Sequence, residues 1–130
     1  MELRIPLEAR SEKTTLVDET LTAAAIGSGD LNVLATPMMI ALMESAALDA
    51  VRSYLPEGWT TVGTGVDIEH LRSTPPGEPV TALAVLNRIE GHTLYFRVTA
   101  RDGRGIIGQG SHRRAAVDVD RFMSGIGGHP

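Results

Sequence analysis

Residues 36–54, TPMMIALMESAALDAVRSY, constrain the fold of this chain more than any other stretch. No glycine interrupts the run, and the spacing predicts one long helix, roughly 27 Å in length. Thr36 is the expected N-cap, its hydroxyl accepting from a first-turn amide. Pro37 follows at the first helical position, where a missing N–H costs nothing. Pro56 and the Glu57-Gly58 turn stop the helix. Met38, Met39, Ile40, Ala41, Leu42 and Met43, then Ala46, Ala47, Leu48, Ala50 and Val51, make it apolar nearly all round. Such a helix needs a sheet wrapped around it or a partner chain against it. Glu44 stands in the middle of this run, turned about 140° from Asp49 on the polar stripe that Asp49 and Arg52 mark. A carboxylate placed there is paired, protonated, kept for chemistry, or exposed near a basic group.

The rest of the chain reads as strands and turns. Residues 2–7 form a weak strand or a loosely docked arm, 13–18 a short strand, and 19–26 a short helix. Gly27 to Leu34 is a flexible approach to the long helix, suited to act as a lid. After the helix the period changes to two. Residues 59–72 place Val62, Thr64, Val66, Ile68 and His70 on one face. Further strands are expected at 79–89, 93–100 and 105–119, with turns at Glu90-Gly91 and Asp102-Gly103 and bends at Gly108 and Gly110. The expectation is one α+β domain over 1–130, with 1–12 and 123–130 loosely ordered. Four long strands joined by hairpins would wrap one helix, which is the hot-dog arrangement. Two copies paired edge to edge would cover what one small sheet leaves open.

Composition narrows the function. There is no cysteine, so disulfides, thiol nucleophiles and Cys-based metal sites are excluded. A net charge of −4 and 4% aromatic residues disfavour a nucleic-acid surface. No apolar run is long enough for a membrane span, residues 1–8 show no signal-peptide pattern, and the expected location is cytoplasmic. No His/Asp/Glu spacing makes a metal site. His70 is either a core-edge histidine bonded to a carbonyl or a histidine aimed at the Glu44 carboxylate; a Glu–His pair beside a hydroxyl suits acyl transfer. Thr36 lies eight residues before Glu44 and cannot touch it as a helix neighbour. His92, His112 and His129 read as surface residues. Gly63 and Gly65 permit close backbone approach. Arg113 and Arg114 either line a solvated strand face or hold a phosphate.

Four stretches together carry a resemblance. Ala-Thr-Pro-Met-Met-Ile-Ala-Leu-Met-Glu (35–44), Val-Gly-Thr-Gly-Val-Asp-Ile-Glu-His (62–70), Ser-Thr-Pro-Pro-Gly (73–77) and Gly-Gln-Gly-Ser-His-Arg-Arg (108–114) resemble, in order and spacing, the fluoroacetyl-CoA thioesterase-like branch of the hot-dog acyl-CoA thioesterases. The resemblance implies a catalytic set of Thr36, Glu44 and His70, and contacts to the thioester ligand from Gly63 and Arg114. It implies an acyl-CoA substrate, a homodimer with sites at the subunit interface, and no cofactor beyond the coenzyme carried by the substrate. The name-giving member is associated with an aromatic lid before the helix. Residues 24–34 here hold no aromatic side chain, which points to a different small or medium acyl group. The expected activity is thioester hydrolysis. The alternatives are a non-catalytic acyl-CoA-binding module and a hot-dog enoyl-CoA hydratase, whose close Asp–His pair is not found.

Overall fold

The computed structural model describes residues 2–128, so the reading of His129 lies outside the described residues. Five strands, β1 (Arg10–Leu16), β2 (Trp59–His70), β3 (Pro79–Glu90), β4 (Thr93–Asp102) and β5 (Gly105–Asp118), form one antiparallel sheet in the order β1-β3-β4-β5-β2. The helices are α1 (Ala23–Ile26), α2 (Thr36–Arg52) and α3 (Val119–Gly125). The long helix α2 lies across the inner face of the sheet, chiefly against β1 and β3. Met39, Met43, Ala46, Ala47, Ala50 and Val51 of α2 are buried on Val80, Ala82, Ala84 and Leu86 of β3 and on Leu94, Phe96, Val98 and Ala100 of β4. Alanines on both sides of this contact let helix and sheet approach closely. The opposite side of α2, including the exposed Ala41, stays uncovered in a single chain.

Several expectations are corrected. Ala35, not Thr36, is the N-cap, without a side-chain bond, and Pro37 is the second helical residue. The helix ends at Arg52 rather than at 54, since Ser53 and Tyr54 already turn. Only two connections are hairpins, β3–β4 and β4–β5. The strand β2 pairs with β5 and not with β3, so residues 71–78 cross the end of the sheet. Its face does not alternate cleanly, because a bulge between Gly63 and Gly65 shifts the register. Thr61 and Gly63 therefore share the helix side with Val66, Ile68 and His70, in place of Val62 and Thr64. The expected irregularity is found beside Gly108, where Ile107 is the extra residue of a register shift against β4, while Gly110 pairs regularly on both sides; a methyl on Gly108 would lie 2.6 Å from Met39 Sδ, and one on Gly110 would collide with Asp67 O.

Described residues near both ends of the chain pack on the sheet or cap a helix. Ile5 is buried in the core, and Leu86 N–H donates to Ala9 O at 2.8 Å, so residues 2–9 run docked into β1. At the other end Asp118 caps α3 through Arg121 N–H at 3.1 Å. The 19–26 segment splits at Thr22 into a 3₁₀ turn and α1, which Thr22 caps through Ala25 N–H. The approach to α2 is pinned at both ends, by Ala24 N–H to Leu31 O at 3.0 Å and Leu34 N–H to Thr74 O at 2.9 Å.

Candidate active site

Thr36 opens α2 and His70 closes β2. Their side chains meet, Thr36 Oγ1 to His70 Nδ1, at 2.7 Å. The other ring nitrogen, Nε2, is buried without a hydrogen-bond partner. Burial pushes the His70 pKa below 6.5, and the backbone at Arg72 offsets part of that. The imidazole is thus neutral near neutral pH.

Two turns further along α2, the Glu44 side chain is 41% exposed, so the carboxylate is not enclosed by this chain alone. Its cation is Arg114, with Nη1 3.7 Å from Glu44 Oε2. The carboxylate rests on the backbone of β2 at Gly63, where any Cβ would collide with Oε2. Gly63 pairs with Arg114 across β2 and β5, so both border the same carboxylate. The expected Glu44–His70 pair is replaced by two separate pairs, Thr36 with His70 and Glu44 with Arg114. The reason is geometric: eight residues of helix separate Thr36 from Glu44, and His70 reaches the Thr36 end.

Arg114 is 6% exposed and does not line a solvated face. Its Nε donates to Thr61 Oγ1 at 2.7 Å and its Nη2 to Thr61 O at 3.0 Å. Its Nη1 lies 3.1 Å from His112 Nε2. His112, expected on the surface, is 3% exposed, and its Nδ1 is 2.9 Å from Gly65 O. Burial holds the His112 pKa below 6.5, and the Arg114 charge adds to this against the opposing Gly65 bond and Glu44. Sequence reasoning missed His112 and Thr61. The available signal was that His112 stands two residues before Arg114 on one strand, hence on the same face. Arg113, by contrast, is exposed and bonds Thr64, and His92 is exposed at its turn with its ring edge-on to Trp59.

Thr36, Ile40, Glu44, His70, Leu71 and Arg72 line one open cavity of about 730 Å³. Val33, Leu34 and Ala23 form its other wall. A hydroxyl, a neutral imidazole and a carboxylate beside a fixed cation, all facing a partly apolar space, suit a polar reaction on a ligand with an apolar end.

The family model for fluoroacetyl-CoA-specific thioesterases, FlK, matches residues 17–120. This chain belongs to that family. A fluoroacetyl-CoA thioesterase of Streptantibioticus cattleyicolor is 42% identical over 94 residues, covering 72% of this chain and 68% of that protein. The crystal structure of a point mutant of FlK bound to fluoroacetate and CoA superposes with a TM-score of 0.85 at 33% identity, over 91% of this chain and 99% of that one. A Thermus thermophilus thioesterase superfamily member superposes with a TM-score of 0.88 at 28% identity, over 95% and 91% of the two chains. A hot-dog-like protein from Thermanaerovibrio acidaminovorans shares the fold, with a TM-score of 0.85 at 21% identity over 94% of this chain and 90% of that one. The sheet around α2 is therefore the hot-dog fold. Among the described residues no group of three or more His, Asp or Glu side chains is arranged to hold a metal, and no helix is long and apolar enough to cross a membrane.

Proposed function

We propose that this protein hydrolyses an acyl-CoA thioester to the free acid and CoA, with Glu44, Thr36 and His70 as its catalytic groups. The observation that carries the reading is the single cavity shared by those three side chains in a chain of this family. Glu44 takes a proton from water, whose oxygen attacks the thioester carbonyl. The oxyanion collapses, the C–S bond breaks, and the Glu44 proton passes to the departing thiolate of CoA. In this scheme His70 carries its ring proton on Nδ1 and donates it to the Thr36 hydroxyl. The Thr36 hydroxyl then turns its own proton into the cavity and stabilises the oxyanion. Gly63 and Arg114 border the acyl end beside Glu44. No prosthetic group is needed in this scheme, which would operate in the cytoplasm.

Two further features complete the reading. The wall at Val33, Leu34 and Ala23 carries no aromatic side chain, so the cavity accepts acyl groups larger than fluoroacetyl. The outer edge of β2 is unpaired and Val66 on its inner face is 50% exposed, which supports a homodimer that extends the sheet there and closes the cavity.

Thiol release across a panel of acyl-CoAs tests the reading. Turnover of short and medium acyl-CoAs is expected; saturable binding with no thiol release from any of them would leave a binding module. Glu44→Gln keeps shape and hydrogen-bonding capacity. It should still bind acyl-CoA while kcat falls at least about 100-fold. Normal kcat in that variant would remove Glu44 from the chemistry.

A further inference from the structure

We propose that Thr61 and His112 are positioning residues for Glu44, locking the Arg114 guanidinium in the one orientation that presents it to the carboxylate. A guanidinium is a rigid plane that only donates. Three of its directions are taken by two residues: Nε by Thr61 Oγ1, Nη2 by Thr61 O, and Nη1 by His112 Nε2. The plane is fixed, and Nη1 also faces Glu44 Oε2 at 3.7 Å. At 6% exposure the arginine offers little surface to a coenzyme phosphate. Its charge is directed inward, at the carboxylate.

The same geometry decides the state of His112. Arg114 has no lone pair to offer, so His112 Nε2 must accept. The ring proton is then on Nδ1, which donates to Gly65 O at 2.9 Å. That carbonyl belongs to the bulge of β2, so the bulge is what turns the ring toward Arg114. The Phe96 ring, 6.2 Å away centroid to centroid, packs beside it. A protonated His112 would set an N–H donor against the Nη1 donor. Burial keeps the ring neutral, which agrees with this order of donors and acceptors. The result is a relay from the Gly65 carbonyl through His112 to Arg114 and on to Glu44, with Thr61 as its second anchor.

The activity arm of the test rests on the hydrolase reading above; the spectroscopic arm does not. His112→Phe keeps the ring volume and removes the acceptor, whereas His112→Gln retains an acceptor. Expected for His112→Phe is a kcat at least about tenfold lower with KM for the same acyl-CoA within about twofold, because misplacement of a reacting group acts on the chemical step. His112→Gln should recover most of the loss. In ¹⁵N NMR the Arg114 Nε–H signal, slow to exchange in the wild type, should shift or broaden in His112→Phe and in Thr61→Val and persist in His112→Gln. Should His112→Phe not fold, Thr61→Val carries both measurements. A filler role for His112 predicts the reverse: His112→Phe with normal kcat and an unmoved Arg114 signal, which would overturn the proposal. A wild type that turns over no acyl-CoA would sink the hydrolase reading, and the NMR arm would still decide the clamp.

Discussion

Gly63 shows how much a single missing side chain can matter. It sits on β2 against the Glu44 carboxylate, opposite Arg114. A methyl there collides with Glu44 Oε2, the far end of a flexible side chain rather than a piece of backbone. The fold can therefore yield while the carboxylate cannot keep its place. Gly63→Ala should lower kcat by at least about tenfold with little change in melting temperature. A fully active Gly63→Ala protein would mean that the position of Glu44 is not critical. Thr36 makes a complementary point. Its residue type suits a helix cap, yet its hydroxyl is spent on His70 and the cap falls to Ala35.

Among the elements, the crossover after β2 is held by one buried carboxylate. Asp102, at the end of β4, has no exposed side-chain surface and accepts from Thr74 Oγ1 at 2.8 Å, Arg72 Nη2 at 3.2 Å and Arg104 N at 2.8 Å. Burial raises its pKa, but these donors and the two arginine charges together bring it below 3.8. Thr74 in turn accepts Leu34 N–H through its carbonyl, so Asp102 also anchors the approach to α2. Asp102→Ala leaves a buried hydroxyl and a half-buried guanidinium without their acceptor. A loss of about 1.5–3 kcal/mol in unfolding free energy is expected from urea titration. A KM rise should accompany it, since Leu34 and Arg72 line the cavity. Unchanged stability would show that water replaces the carboxylate at no cost.

On the scale of the whole molecule, the open side of α2, the unpaired edge of β2 and the half-exposed Glu44 point the same way. Sedimentation should give about twice the 13.9 kDa chain mass at micromolar concentration. Val66→Asp, placing a charge on that edge, should shift the mass toward the monomer and lower activity with it. A monomeric wild type would contradict the dimer. Stability should also follow pH in a set direction. His70 and His112 both have folded pKa values lowered by burial. Below the unfolded value of 6.5 the unfolded chain binds protons that the folded chain refuses, so stability rises with pH through that window and levels off above it. The urea midpoint should fall between about pH 7.5 and about pH 5.5. A flat profile would show that neither ring titrates differently on unfolding.

The long helix and the strands after it were legible in the amino-acid sequence, because a helix needs only local spacing and a strand only alternation and turns. The Ala-Thr-Pro start and the positions of Glu44, His70, Gly63 and Arg114 could be read from the same words. The order of the strands was not, since pairing β2 with β5 rather than β3 depends on contacts far apart in the chain. The bulge at Gly63 and Gly65 was equally hidden, and it moved every side chain before it to the other face. That shift put Thr61 under Arg114 and the Gly65 carbonyl on His112, turning a histidine that looked exposed into a buried acceptor. Residue type and spacing set which groups were available. Long-range strand register decided which of them met, because a one-residue slip in a sheet exchanges its two faces.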